Sequence, residues 1–323
     1  MLKTAIFSGL GHKMNHIHLL LLILLSGCSG YGQMFLESYT NPLKPQEFKL
    51  ADGSKSMYYQ FSLDDGSDAN IYLFFIGGSG CHSYKYYLRQ YLEGLSGNIK
   101  VFALQKRGVS DRTTGFFGCG EQFDEKDYFG QWVADQREFV SRELDSVASK
   151  PRKVLLFGVS EGATVAAAVA ANEPRVTHLA IIGGGGMKQI DELRILAEKK
   201  KFQGDIEDIY RKILADPESI SKKVYGHSYH YWSSVLDRDP MDFYARLNIP
   251  ILIGFGENDS SVPVEAVLAL THQFQVMDKT NLTVHVYPGA DHTLKAKEKS
   301  YRPDFMKRLG DWLRTSQFIN RDL

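Results

Sequence analysis

Three residues far apart in the chain have the types and settings to work as a nucleophile, a base and an acid. Ser160 lies in Gly158-Val159-Ser160-Glu161-Gly162, between the apolar run Val154-Leu155-Leu156-Phe157 and an alanine-rich stretch with helical character. A G-x-S-x-G pattern at a strand-to-helix turn holds its serine at the tip of a tight, strained bend. The flanking glycines are required because a Cβ at either end would collide with the neighbouring strand or helix. A serine hydroxyl is a weak nucleophile and needs a base within hydrogen-bond reach. A histidine base in turn needs an acid to fix its tautomer and stabilise the imidazolium. His292 follows Gly289-Ala290-Asp291, and Asp259 follows Gly256-Glu257-Asn258, each just beyond an apolar run. The helix after Ser160 aims its positive N-terminus at the place where an oxyanion would form.

The elements that must position these residues can be read from hydrophobic pattern. Met57–Leu63, Ile71–Ile76, Lys100–Leu104, Val154–Phe157, His178–Ile182, Ile249–Phe255 and Leu282–Tyr287 read as strands, and residues 29–50 as an extended linker with a first edge strand. Continuous apolar runs such as Ile71–Ile76 suit strands buried on both faces of a parallel sheet. Helical pattern covers Ser83–Leu95, Phe123–Lys150, the alanine-rich segment from Ala163 to Ala171, Pro263–Met277 and Tyr301–Thr315. The alternation predicts an α/β fold, a mostly parallel sheet of about eight strands with helices on both faces. In such a sheet Ser160, Asp259 and His292 emerge at one edge, the carboxyl ends of the strands. Residues 190–247 break the rhythm with a polar, helical insertion too long for an ordinary connection. We read it as a cap over that edge, within a domain spanning 51–320. The alternative is a surface excursion with no part in catalysis. Tyr225, Tyr229, Tyr231 and Trp232 of this segment either line an apolar pocket or pack the insertion onto the core.

Composition narrows the function. Lys+Arg and Asp+Glu both number 38, so net charge is zero and nucleic-acid binding has no support. The three cysteines lack metal-ligand spacing, and Gly183–Gly186 lacks the G-x-G-x-x-G of a dinucleotide site, so neither metal nor cofactor is expected. Glu257 competes with Asp259 for the acid role, and His227 and His230 compete with His292. Asp291 reads as a turn residue.

The N-terminus carries Lys3 and Lys13 ahead of an apolar run, Leu19–Leu25, far shorter than a membrane-spanning helix. It reads as the core of a secretory signal, residues 1–27. The following Leu25-Ser26-Gly27-Cys28-Ser29 resembles a bacterial lipobox, with Met14 as an alternative start. That resemblance implies that Cys28 becomes the lipidated first residue, followed by a linker over 28–50. It also implies a place in the bacterial cell envelope, on the outer membrane facing the periplasm. A plain signal peptide with an incidental cysteine is the alternative. Cys81 and Cys119 remain, an even number in an exported chain, which predicts a disulfide; two unpaired thiols is the other possibility.

Over roughly residues 50–320 the chain resembles the α/β-hydrolase superfamily. The match rests on the elbow Ser160, on Asp259 followed by Val262-Pro263, and on Asp291-His292. Gly77-Gly78-Ser79-Gly80 resembles the family's oxyanion loop, with Ile76 in place of the usual histidine. Gln105-Lys106-Arg107-Gly108-Val109-Ser110 is similar to its D-x-R-G-x-G-x-S segment, with Gln105 and Ser110 as departures. The resemblance implies that Ser160 attacks a carbonyl, His292 serves as base and then acid, and Asp259 orients His292. The backbone N–H of Glu161 and that of Gly78 or Ser79 form the oxyanion hole. It implies hydrolysis of an ester, thioester or similar acyl bond in a small-molecule substrate. A second reading is a peptidase on short peptides, similar to the proline-iminopeptidase and prolyl-peptidase branches, with Glu161 a candidate to hold a substrate amine or simply a helix N-terminal residue. A third is a non-enzymatic lipoprotein on a hydrolase scaffold.

Overall fold

The computed structural model describes residues 42–64, 69–115, 118–146, 151–201 and 204–316. The signal-like run Leu19–Leu25 and Cys28 lie outside the described residues. No helix among the described residues is long and apolar enough to cross a membrane.

An eight-stranded sheet organises the chain. Its strands are β1 (Pro45–Lys49), β2 (Lys55–Ser62), β3 (Ile71–Ile76), β4 (Ile99–Leu104), β5 (Lys153–Val159), β6 (His178–Ile182), β9 (Ile251–Gly256) and β10 (Leu282–Tyr287). They lie in the order β1-β2-β4-β3-β5-β6-β9-β10. β1–β2 and β2–β4 are antiparallel and every other pair is parallel. This is the mainly parallel α/β sheet that the alternating pattern predicts, and the expected first edge strand is β1.

Side chains alternate across the pleat, and each central strand feeds two cores. Phe74, Ile76, Phe102, Leu156 and Ile181 bury on one face. There they meet α3 (Phe129–Asp145), α4 (Glu161–Ala170) and α9 (Val264–Val276) through residues such as Phe139, Ala166 and Leu270. Leu73, Phe75, Val101, Leu155, Phe157 and Leu252 bury on the other face, against α1 (Leu88–Tyr91) and α10 (Arg302–Thr315). The continuous apolar runs follow from this double burial. The alanines of α4 let that helix lie close on the sheet, and Val165, Ala166, Ala167 and Val169 are fully buried there.

Two helical expectations are corrected. The Ser83–Leu95 segment forms a 3-10 turn (Tyr84–Tyr86) and the one-turn α1 instead of a continuous helix. The run from Phe123 is split into α2 (Glu121–Asp124) and α3, with Tyr128 extended at ψ 152.

Between β6 and β9 stand α5 (Gln189–Glu198), α6 (Ile206–Ala215), the two-stranded hairpin β7 (Lys223–Val224) and β8 (His227–Ser228), α7 (Tyr229–Val235) and α8 (Met241–Tyr244). Trp232 Nε1 donates to Val224 O at 2.8 Å, fastening α7 to the hairpin. Lys223 and His227 of the hairpin reach Asp124 and Asp127 across the chain.

Candidate active site

The turn from β5 into α4 carries Ser160 at φ 57, ψ −125. A residue with a Cβ is rare in that region and costs roughly 1–3 kcal/mol of strain. The surroundings impose it. A Cβ on Gly162 would overlap the carbonyl oxygens of Ile76 and Gly77, and one on Gly158 would overlap Gly162 O. Both glycines therefore let the elbow press against the loop after β3, the role their positions predict. Ser160 N–H donates to Ile182 O at 2.9 Å and Ser160 O accepts from Ala163 N–H at 2.8 Å, so the strained residue is clamped on both sides.

Asp259 and His292 leave the ends of β9 and β10 and meet. His292 Nδ1 is 2.6 Å from Asp259 Oδ2. Asp259 Oδ1 accepts the backbone N–H groups of Ser261 (2.7 Å) and Val262 (2.9 Å), which fixes the carboxylate, and the Asp259 side chain is fully buried. A Cβ on Gly183 would stand 2.7 Å from His292 Cε1, so the imidazole packs over a glycine that must lack a side chain. Glu257 instead accepts the N–H of Gly289, and Asp291 accepts from the N–H groups of Thr293 and Lys295 as a turn residue does. His230 pairs with Glu218. Of the residues singled out from the sequence, the structure brings Asp259 and His292 together. Ser160 and His292 line one cavity of about 360 Å³.

The glycine loop after β3 abuts the serine. A Cβ on Gly78 would lie 3.1 Å from Ser160 Cβ and 3.6 Å from its Oγ. Gly77 N–H is taken by Tyr84 Oη at 2.9 Å. The N–H groups of Gly78, Ser79 and Glu161 donate to nothing among the described residues, and Ser79 and Glu161 line the cavity. Cys81, just after this loop, is bonded to Cys119. The disulfide predicted from cysteine number is present.

The insertion supplies much of the cavity wall, including Glu192, Tyr225, His227, Tyr231 and Trp232. Tyr231 and Trp232 are also buried, so they both line the cavity and pack the insertion. Tyr229 does not reach the cavity. Glu192 is a residue that sequence reasoning missed. It stands on the buried side of α5, with no hydrogen bond to its carboxyl among the described residues. Burial, reinforced by the charges of Asp259 and Asp191, pushes it up to about 8. Its only signal in sequence is its place among the apolar positions Ile190, Leu193 and Leu196.

Glu161 opens α4, and its side chain is buried. Its Oε2 lies 2.7 Å from Lys106 Nζ, and its Oε1 is buried with no hydrogen-bond partner among the described residues. Lys106 Nζ also lies 2.7 Å from Asp127 Oδ1, and Asp127 Oδ2 is 3.6 Å from His227 Nδ1. Burial alone would push the Lys106 ammonium down; the two carboxylates outweigh it and raise the group.

The fold defines a serine hydrolase of the α/β-hydrolase type. The chain belongs to the prolyl oligopeptidase family, whose model (Peptidase_S9) matches residues 112–317, well over half its length. Among solved structures it is similar to Est1E from Butyrivibrio proteoclasticus, at 15% identity and TM-score 0.58 over 84% of this chain and 97% of that one. It is also similar to the Pyrococcus furiosus esterase Pf2001, at 15% identity and TM-score 0.55 over 86% of this chain and 92% of that one. An acylaminoacyl peptidase from Pyrococcus horikoshii is similar at 11% identity and TM-score 0.58, over 87% of this chain but 43% of that one. No curated protein sequence matches this chain.

Proposed function

We propose that this protein hydrolyses an ester or similar acyl bond of a small substrate by two-step acyl transfer through Ser160. The observation that carries the reading is the convergence of a strained serine and an aspartate-bound histidine on one cavity. His292 Nδ1–H on Asp259 leaves Nε2 as the basic nitrogen. In this reading Nε2 takes the Ser160 proton as Oγ attacks the carbonyl, then returns it to the leaving group. Water repeats the sequence on the acyl-enzyme. The N–H of Glu161 and that of Gly78 or Ser79 would stabilise the tetrahedral oxyanion, each such donor contributing about 3 kcal/mol.

A peptidase reading stands beside it, favoured by membership of the prolyl oligopeptidase family. Paired assays on p-nitrophenyl acyl esters and on aminoacyl p-nitroanilides separate the two: faster turnover of the anilides would replace the ester reading. In either case Ser160→Ala should lower kcat by about 10⁴-fold or more with thermal melting retained. Survival of most activity in that variant, or failure of a fluorophosphonate probe to label Ser160 in the parent protein, would remove the catalytic assignment and favour a non-enzymatic role.

We further propose that the chain is exported and lipid-anchored through Cys28 in a bacterial envelope, facing the periplasm. The Cys81–Cys119 disulfide supports an oxidising compartment. Labelling with a palmitate analogue in a lipoprotein-processing bacterium tests this. Equal labelling of the parent and Cys28→Ala would defeat it.

A further inference from the structure

A buried charge stands next to the proposed oxyanion site. Glu161 directly follows Ser160, opens α4 and lines the same cavity. In the acyl-transfer reading the tetrahedral oxygen becomes negative in this same cavity, so the Glu161 carboxylate is a second charge on its wall. An uncompensated negative charge there opposes the reaction, because two like charges in a poorly hydrated site repel strongly. One cation answers it. Lys106 leaves the end of β4 and places Nζ 2.7 Å from Glu161 Oε2. Its ammonium sits among three rings, 5.8 Å from the Phe123 centroid, 5.7 Å from Trp132 and 5.8 Å from Tyr231. That cage keeps water away and prevents the side chain from swinging to solvent; its side chain is only 7% exposed.

We propose that Lys106 is a positioning residue for the acyl-transfer reaction: its ammonium neutralises Glu161 and draws that carboxylate away from the developing oxyanion. The inference rests on the Ser160 reading above and extends it to a residue that never touches substrate. Lys106 acts through Glu161, and the orphaned Glu161 Oε1 shows how little else is available to satisfy that carboxylate. The titratable groups around it come from every neighbouring element. Asp127 precedes α3, His227 lies on β8, Tyr231 on α7 and Tyr84 in the 3-10 turn. Asp127, with both Lys106 and His227 beside it, is held below the usual carboxylate range although burial opposes this. Glu161 is pushed up by burial, with Asp127's charge adding to the rise and Lys106 and His227 opposing it.

The consequence is a specific pH signature. Without Lys106, Glu161 stays neutral at low pH by holding a proton and becomes a bare buried carboxylate at high pH. The ratio of variant to parent kcat should therefore fall as pH rises. The test compares the parent, Lys106→Met, Lys106→Met/Glu161→Gln and Ser160→Ala on p-nitrophenyl acetate from about pH 6 to about pH 9, a range in which a buried carboxyl ionises. Lys106→Met should lose about ten- to a hundredfold in kcat at the alkaline end, with KM little changed and a smaller loss at the acid end. The double variant should recover most of that loss and flatten the ratio. A Lys106→Met kcat equal to the parent's, a loss independent of pH, or a double variant as impaired as the single would each overturn the proposal. If Lys106→Met does not fold, the double variant decides alone: a kcat about tenfold or more below the parent's at alkaline pH overturns it, and a kcat near the parent's supports it. Turnover of the parent that survives in Ser160→Ala would instead bring down the acyl-transfer reading, and this inference with it.

Discussion

Glu192 shows how a single residue's surroundings decide its chemistry. A glutamate on a helix reads as a solvated charge, yet this one is buried and carries a carboxyl pushed up to about 8 from its ordinary 4.5 by burial and by Asp259 and Asp191. The folded state holds its proton over a range where the unfolded chain has released it. Stability from this group is complete below pH 4.5 and is lost as pH rises toward about 8. Glu192→Gln keeps the shape and removes the titration. The melting temperature of the variant should thus fall less than the parent's between those limits, measured by thermal denaturation in a pH series; parallel curves would refute the assignment. Burial raises Glu161 as well, and there the adjacent Lys106 ammonium opposes the rise. The sequence placed Glu161 correctly after the nucleophile but could not reveal that its side chain turns inward.

At the scale of elements, β5, the elbow and α4 were legible because their signals are local. Glycine spacing, an apolar run and an alanine-rich helix lie within about one supersecondary unit. The segment after the glycine loop was less legible. Tyr84, Tyr87 and Tyr91 have helical spacing, but their rings pack on Phe75. Tyr84 Oη is bonded to Gly77 N–H, and Ser83 Oγ to Tyr59 and Gln105. Ser83 N–H also donates to Thr113 O at 2.9 Å, so tertiary contacts fix the start of the segment outside a helix. The run from Phe123 breaks for a similar reason, since Asp127 turns in to meet Lys106. The Cys81–Cys119 bridge joins the loop beside Ser160 to the chain leading into α2 across a separation of 38 residues. Closing a loop of that length stabilises by about 4 kcal/mol on the chain-entropy model. Cys81→Ser/Cys119→Ser should lose stability of that order in urea unfolding, and reductant should lower the parent's midpoint while leaving the variant's unchanged.

For the whole molecule, acid brings the opposite trend to that of Glu192. His178 begins β6 and bridges Thr177 and Ser316, joining the sheet to the end of α10. Burial, with help from Lys153, lowers it from 6.5 to about 4. The unfolded chain takes up a proton that the folded state refuses, so stability is lost as pH falls from 6.5 to about 4. The two groups therefore squeeze stability from both sides. His178→Gln should flatten the acid limb of the melting-temperature profile, and an unchanged limb would show that other groups control it.

By itself the sequence determined the α/β class, the strand order of appearance, the elbow serine, and the cysteines available for a bridge. Each depends on residues close together in the chain or on simple counting. It narrowed the acid to Asp259 or Glu257 and the base to a few histidines. Only the tertiary structure shows that Asp259 and His292 meet, because that depends on which strand ends are neighbours and which side chains point inward. The Lys106–Glu161–Asp127–His227 network belongs wholly to that second level. Its members come from four separate segments, and charged side chains carry no periodic signal to announce that they will meet in a dry interior.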